Sequence, residues 1–153
     1  AGLRACEIAA LRVGDVFDEQ GRIKDTIYLS SYQTKGSNSA TILVNTKLKR
    51  QLAKFAKQYP VHVSNRTAPL LCSAKGGGFT AQTIVNLFKR IYKLAGIDGA
   101  SSHSGRRQFV TKLADRGINA RLVQVLARHK HLNTTQRYID VNENKLRGAI
   151  ELI

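Results

Sequence analysis

Most of the patterned segments in this chain repeat at helical spacing, and only one long stretch reads as a pair of strands. That contrast limits the fold more than any other feature. In "TIYLSSYQTKGSNSATILVN", residues 26–45, Ile27 and Leu29 alternate with polar neighbours on one arm, and "ATILV" forms the other. The connection "TKGSNS" is rich in turn formers. A hairpin is predicted, closed by a turn that carries Lys35.

The remaining segments surround it with helices. Residues 4–12 place Ile8 and Leu11 on one stripe, and Gly14 and Asp15 are predicted to break it. "VFDEQGRI" reads as a short strand and a turn. Residues 46–59 carry Leu48, Leu52, Phe55 and Ala56 at helical spacing behind a Thr46 cap. "VSNRTAP" reads as a loop and "LLCS" as a short strand. Thr80 caps "AQTIVNLFKRIYKLAG", which ends at Gly96. Residues 101–116 start at Ser101 or Ser102 and stop before Gly117. Asn119 caps "NARLVQVLARH", and Thr134 and Thr135 open a short helix that reaches Tyr138.

The end of the chain, "NENKLRGAIELI", is an amphipathic helix with Leu146, Ala149, Ile150 and Ile153 on one stripe. That stripe must be covered, either by the chain's own domain or by a neighbouring subunit. The fold class is therefore α+β, mostly helical, with one small antiparallel sheet. No repeat or second core is visible, so residues 1–153 are read as one domain. No apolar run approaches the roughly 18 residues of a membrane span, and no signal peptide is seen. A cytoplasmic location is expected.

Charge narrows the partner. Twenty-five Lys and Arg stand against ten Asp and Glu, a formal +15. Such an excess on a folded domain points to a polyanion, most often nucleic acid. The bland alternative is a solvated basic surface. The two cysteines, Cys6 and Cys72, lack metal-ligand spacing and are read as buried free thiols.

Chemistry is concentrated in six residues: Arg4, Lys35, His103, Arg106, His129 and Tyr138. His103 and Arg106 stand at i and i+3 of a predicted helix and share a face. No paired carboxylates suit metal or acid–base work. "KGGG" at 75–78 lacks the spacing of a phosphate-cradling loop. His129 and His131 have no nearby Cys or acid to complete a metal site. His62 reads as a surface loop residue, Glu7 as a structural acid paired with Arg12 or a backbone group. Tyr28, Tyr32, Tyr59 and Tyr92 read as half-buried aromatics with wet hydroxyls.

Guanidiniums, an ammonium, imidazoles and one phenol can together transfer a phosphoryl group without metal or cofactor. Two guanidiniums clamp phosphate oxygens and stabilise transition-state charge. A tyrosine can be the covalent nucleophile, and histidine moves protons near neutral pH.

These residues carry a resemblance. "GLRACEIAALRVGDV" is similar to the first arginine motif of the tyrosine recombinase, or phage integrase, family. "HSGRR" at 103–107 resembles its His-x-x-Arg box. "ARHKHLNTTQRYI" resembles the segment in which a second His precedes the tyrosine by nine residues, and the hairpin resembles the strand pair that carries the family's lysine. The four stand in the family's order and span nearly the whole chain.

The resemblance implies the family's catalytic fold and roles. Arg4 and Arg106 would bind the scissile phosphate. His103 would accept a proton or bind phosphate, and His129 would donate a hydrogen bond to it. Lys35 would protonate the departing 5′ oxygen. Tyr138 would attack, giving a 3′-phosphotyrosyl link that is resealed without ATP. The partner would be double-stranded DNA, with a tetramer on paired sites in a full-length protein. The family's DNA-clamping amino-terminal domain is expected to be absent from residues 1–153, since "AGLRACEIAALR" begins in mid-helix and Met is lacking.

Two departures stand out. The residues flanking the box arginine are usually Leu and often His; here they are Gly105 and Arg107. The residue before the second His is commonly Gly; here it is Arg128. Arg107, Arg128 and Lys130 are candidates for contacts to the DNA backbone, while Arg116 and Arg121 contact the backbone or face solvent. Two alternatives remain at this point: a type IB topoisomerase-like nicking-closing enzyme using the same residues, and a non-catalytic basic DNA-binding module.

Overall fold

The computed structural model describes residues 1–35, 38–139, 143–151 and 153, with the backbone alone at 144 and 145. They form two compact units, Ala1–Arg106 and Arg107–Ile153.

The first unit opens with helix α1 (Ala5–Ala10) and the single turn α2 (Val13–Val16). Strand β1 (Thr26–Leu29) follows, then a 3-10 turn at Ser31–Gln33, then strand β2 (Ala40–Leu43). The strands pair antiparallel, with Ile27 opposite Ile42 and Tyr28 opposite Thr41. Alternation puts Ile27, Leu29 and Ile42 inside, against Val13, Val16 and Phe17, while Tyr28 is 71% exposed. Each such buried aliphatic contributes about 1.5–3 kcal/mol. Helix α3 (Thr46–Gln58) covers this core with Leu48, Leu52, Phe55 and Ala56, and its exposed face carries Lys47, Arg50, Lys54 and Lys57. Helix α4 (Pro60–Ser64) follows directly. Helix α5 (Ala81–Leu94) packs on α1 and ends where Gly96 adopts φ +68°.

Helix α6 (Ser104–Asp115) carries the chain into the second unit. There α7 (Ala120–Ala127) packs on α8 (Leu132–Gln136). Val110, Val123 and Ala127 form the centre, with Phe109, Leu113 and Tyr138 against them. Helix α9 (Glu143–Ile150) follows. Leu146 is 59% exposed and Ile150 64%, and Ile153 is fully exposed. The apolar stripe is thus uncovered.

Several sequence expectations change. Gly14 and Asp15 lie inside α2, because the Asp15 carboxylate accepts from the Arg12 N–H at 2.8 Å and stabilises another turn. Asn45, not Thr46, caps α3, accepting from the Leu48 N–H at 2.8 Å. "LLCS" makes one isolated bridge, Cys72 to Gly78, rather than a strand. His131, not Thr134, precedes α8. Residues 63 and 64 of the expected loop belong to α4, which also carries His62. Both cysteines are half-buried. Of the four other tyrosines only Tyr92 is half-buried. Part of the predicted hairpin turn, Gly36 and Ser37, lies outside the described residues.

Candidate active site

In the first unit, Arg4 stands at the N-cap of α1. Its guanidinium Nη1 donates to Glu7 Oε1 at 2.7 Å, and its backbone N–H donates to Glu7 Oε2 at 2.7 Å. Glu7 is fully buried, while the Arg4 side chain keeps 25% exposure. One carboxylate therefore fixes both the backbone and the head of Arg4 and leaves part of the guanidinium accessible. The expected backbone partner of Glu7 is the Arg4 N–H, and the guanidinium it pairs with is that of Arg4 rather than Arg12. A pair three residues apart meets on a helix, whereas a pair five apart does not. Arg12 instead donates from its side chain to the Thr67 carbonyl at 3.0 Å.

Arg106 lies in the first turn of α6 and is 8% exposed. Its Nη1 donates to the Gly2 carbonyl at 2.6 Å, which brings it beside the segment that leads into Arg4. His103 is exposed and sits one residue before α6, not within it as expected. The Ser104 hydroxyl accepts from the Ser101 N–H at 2.8 Å, and this local turn replaces the expected extra helical turn. A Cβ at Gly105 would lie 3.6 Å from the Tyr92 hydroxyl, so a larger side chain there would meet the phenol.

Lys35 is exposed in the connection between β1 and β2. Two residues earlier, the buried Gln33 ties this connection down. Its amide donates to the Ala10 carbonyl at 3.0 Å and to Asp15 Oδ2 at 2.8 Å, and its Oε1 accepts from the Ser30 N–H at 2.9 Å. A glutamine in a turn-rich stretch gives no local signal of this role.

In the second unit, the rings of His129 and Tyr138 stack with centroids 6.3 Å apart and planes 26° apart. His129 Nδ1 shares a 2.9 Å hydrogen bond with the hydroxyl of Thr135, which is wholly buried. Buried Gln124 donates to the His129 carbonyl at 3.1 Å. Backbone and ring of His129 are thus both held, with Nε2 on the opposite side of the ring from the Thr135 bond. Tyr138 is half-buried, one turn after Thr135, and its N–H donates to the Thr135 carbonyl at 2.9 Å. In the sequence Thr135 reads as a helix opener, and nothing local marks Gln124. Arg107 and Lys130 are exposed and Arg128 is half-buried. Among the described residues, no three His, Cys, Asp or Glu side chains group to hold a metal, and no helix is long and apolar enough to cross a membrane.

The family model of the phage integrases matches residues 1–145. The chain belongs to the phage integrase family. Tyrosine recombinase XerD of Rickettsia conorii is 27% identical over 98% of this chain, and tyrosine recombinase XerA of Pyrococcus horikoshii is 28% identical over 99%. XerD of Ralstonia nicotianae is 30% identical over 96%. The chain spans about half the length of these relatives: 51%, 50% and 47% respectively. Among solved structures, XerA recombinase superposes with a TM-score of 0.75 at 24% identity, covering 99% of this chain and 53% of that one. XerH bound to its difH substrate before cleavage gives 0.70 at 24% identity, covering 97% and 42%. This integrase-family chain therefore has the recombinase catalytic fold.

Arg128, the departure from the family's usual glycine, has φ +56° and ψ 45° at the end of α7. That is the left-handed region, where a side chain costs energy and glycine does not. Its N–H donates to the Val125 carbonyl at 3.0 Å, which closes the helix and turns the chain toward His129. Glycine would adopt this backbone without that cost.

Proposed function

We propose that this chain is the catalytic domain of a site-specific DNA recombinase or integrase. It cuts and rejoins duplex DNA through a 3′-phosphotyrosyl intermediate, without metal. The observation that carries this reading is the pairing of His129 with Tyr138 on either side of α8, braced by Thr135 of that helix. In the first unit, the partly exposed Arg4 and the adjacent Arg106 supply two guanidiniums.

Arg4 and Arg106 hold the non-bridging oxygens of the scissile phosphate and offset its transition-state charge. His103 accepts a proton or binds the phosphate. His129 donates a hydrogen bond to it from Nε2. The Tyr138 hydroxyl oxygen attacks phosphorus and forms the new O–P bond, and its proton passes to His103 when that residue acts as the acceptor. The P–O5′ bond breaks as Lys35 gives its proton to the departing oxygen. The link retains the bond energy, so a 5′-hydroxyl reseals it by the reverse step. Arg107, Arg128 and Lys130 contact the DNA backbone.

The relatives' names favour recombination over simple nicking and closing. XerH and the Tn1549 transposon integrase were solved as DNA complexes. We infer that a full-length protein assembles as a tetramer on paired sites in the cytoplasm. The uncovered stripe of α9 then docks on a neighbouring subunit.

A pool of nicked duplexes with randomised sequence around the nick tests the reaction. Incubation in chelator should give a protein–DNA band on a denaturing gel that retains a label placed on the strand 5′ of the cut. No band at high protein concentration, or a band that needs magnesium, would count against the proposal.

A further inference from the structure

We propose that Cys72 and His62 form a base-assisted thiol nucleophile in the wall of an apolar cleft, a modification site for small uncharged α,β-unsaturated carbonyl compounds. The site lies wholly within the first unit and is independent of the DNA chemistry.

The orientation of His62 carries the argument. Its Nε2 is 3.3 Å from the Leu70 carbonyl oxygen. A carbonyl can only accept, so Nε2 holds the proton and Nδ1 presents its lone pair. Nδ1 lies 4.0 Å from Cys72 Sγ. The S–H is the only donor between those two atoms. Phe55 stands edge-on to the imidazole, centroids 6.1 Å apart at 90°, and limits its rotation. The Cys72 backbone is held by its bridge to Gly78.

The surroundings select the ligand. The pair borders a cleft of about 510 Å³, with Tyr59, Leu71, Phe79 and Leu87 among its walls. That volume suits a small molecule. In a chain of net charge +15, the cleft is lined by no Lys, Arg, Asp or Glu among the described residues. A charged ligand would meet no counter-ion there, whereas an uncharged apolar one buries its surface.

The step balances without a co-reactant. Cys72 passes its proton to His62 Nδ1, and sulfur bonds to the β-carbon of the ligand. The carbon–carbon π pair moves toward the carbonyl to give an enolate. The imidazolium then returns the proton to the α-carbon. The net change is addition of S–H across the double bond, with nothing oxidised or reduced.

The test labels the whole chain with N-phenylmaleimide and N-methylmaleimide and follows Cys72 and Cys6 separately by peptide mass spectrometry. Cys6, half-buried on α1, is the internal comparison. Cys72 should react at least about tenfold faster than Cys6, and should prefer the phenyl reagent where Cys6 does not. His62→Gln keeps an amide donor for Leu70 but supplies no base. It should slow Cys72 about tenfold or more and leave Cys6 unchanged. Should that variant fail to fold, Leu87→Lys puts a charge at the 37%-exposed Leu87 and should abolish the phenyl preference. Equal rates at the two thiols, an unchanged Cys72 rate in a folded His62→Gln chain, or a phenyl preference that survives Leu87→Lys would overturn the proposal.

Discussion

Glu7 grips Arg4 twice, at the backbone N–H and at the guanidinium, both at 2.7 Å, from a position with no solvent exposure. The arginine is thereby set before any phosphate arrives, and its loss of freedom is met during folding rather than binding. Glu7→Ala should cost about 2–3 kcal/mol, the loss of hydrogen bonds to a buried charged group. Thermal unfolding checks this, and a shift below about 0.5 kcal/mol, the size of an ordinary surface change, would contradict it.

Arg106→Lys should not behave as a conservative change. The ammonium is a point charge, whereas the guanidinium is a planar fork, one arm of which donates to the Gly2 carbonyl. Loss of one transition-state contact costs on the order of 3 kcal/mol, or about a hundredfold in rate. Single-turnover cleavage measures it, and equal rates would remove Arg106 from the clamp.

Thr135→Val keeps the shape of a buried side chain and deletes its bond to His129 Nδ1. Stability should fall by about 1 kcal/mol, with a larger relative loss of cleavage as the imidazole is released. Thr135→Ser should recover most of the cleavage. A valine variant that cleaves normally would show that His129 needs no such brace.

Arg128 offers a clean backbone test. Arg128→Gly and Arg128→Ala both delete the side chain and its contacts, so their difference isolates the left-handed backbone. The glycine variant should be more stable by about 1 kcal/mol in chemical denaturation. Equal stability would mean that the turn before His129 relaxes out of the left-handed region.

The elements were legible where the local pattern has one dominant period. Ile27 and Leu29 alternate against an exposed Tyr28, and the hairpin followed from them. Boundaries were less legible because neighbouring residues compete for one role, as Asn45 and Thr46 do at α3, where only the three-dimensional chain decides which oxygen meets the Leu48 N–H. The candidate site divides in the same way. Arg4, Arg106, His129 and Tyr138 carry a chemistry that stands out in sequence. The residues that brace them do not. Gln33 reaches the Ala10 carbonyl from 23 positions away, and Thr135 and Gln124 act through contacts that no short repeat encodes. Buried polar groups of this kind are set by tertiary hydrogen bonding, which the order of residues does not display.

The most direct measurement asks which atom becomes bonded to DNA. The chain and its Tyr138→Phe variant are incubated with a nicked duplex taken from the covalent pool, and the trapped protein is digested and mapped by mass spectrometry. The unmodified chain should yield one nucleotide-bearing peptide, with the phosphate on Tyr138. The variant should keep most of its DNA affinity, which rests on phosphate contacts, and should give no covalent product. A nucleotide found on Tyr28, Tyr32, Tyr59 or Tyr92, or an adduct that persists in the phenylalanine variant, would contradict the account.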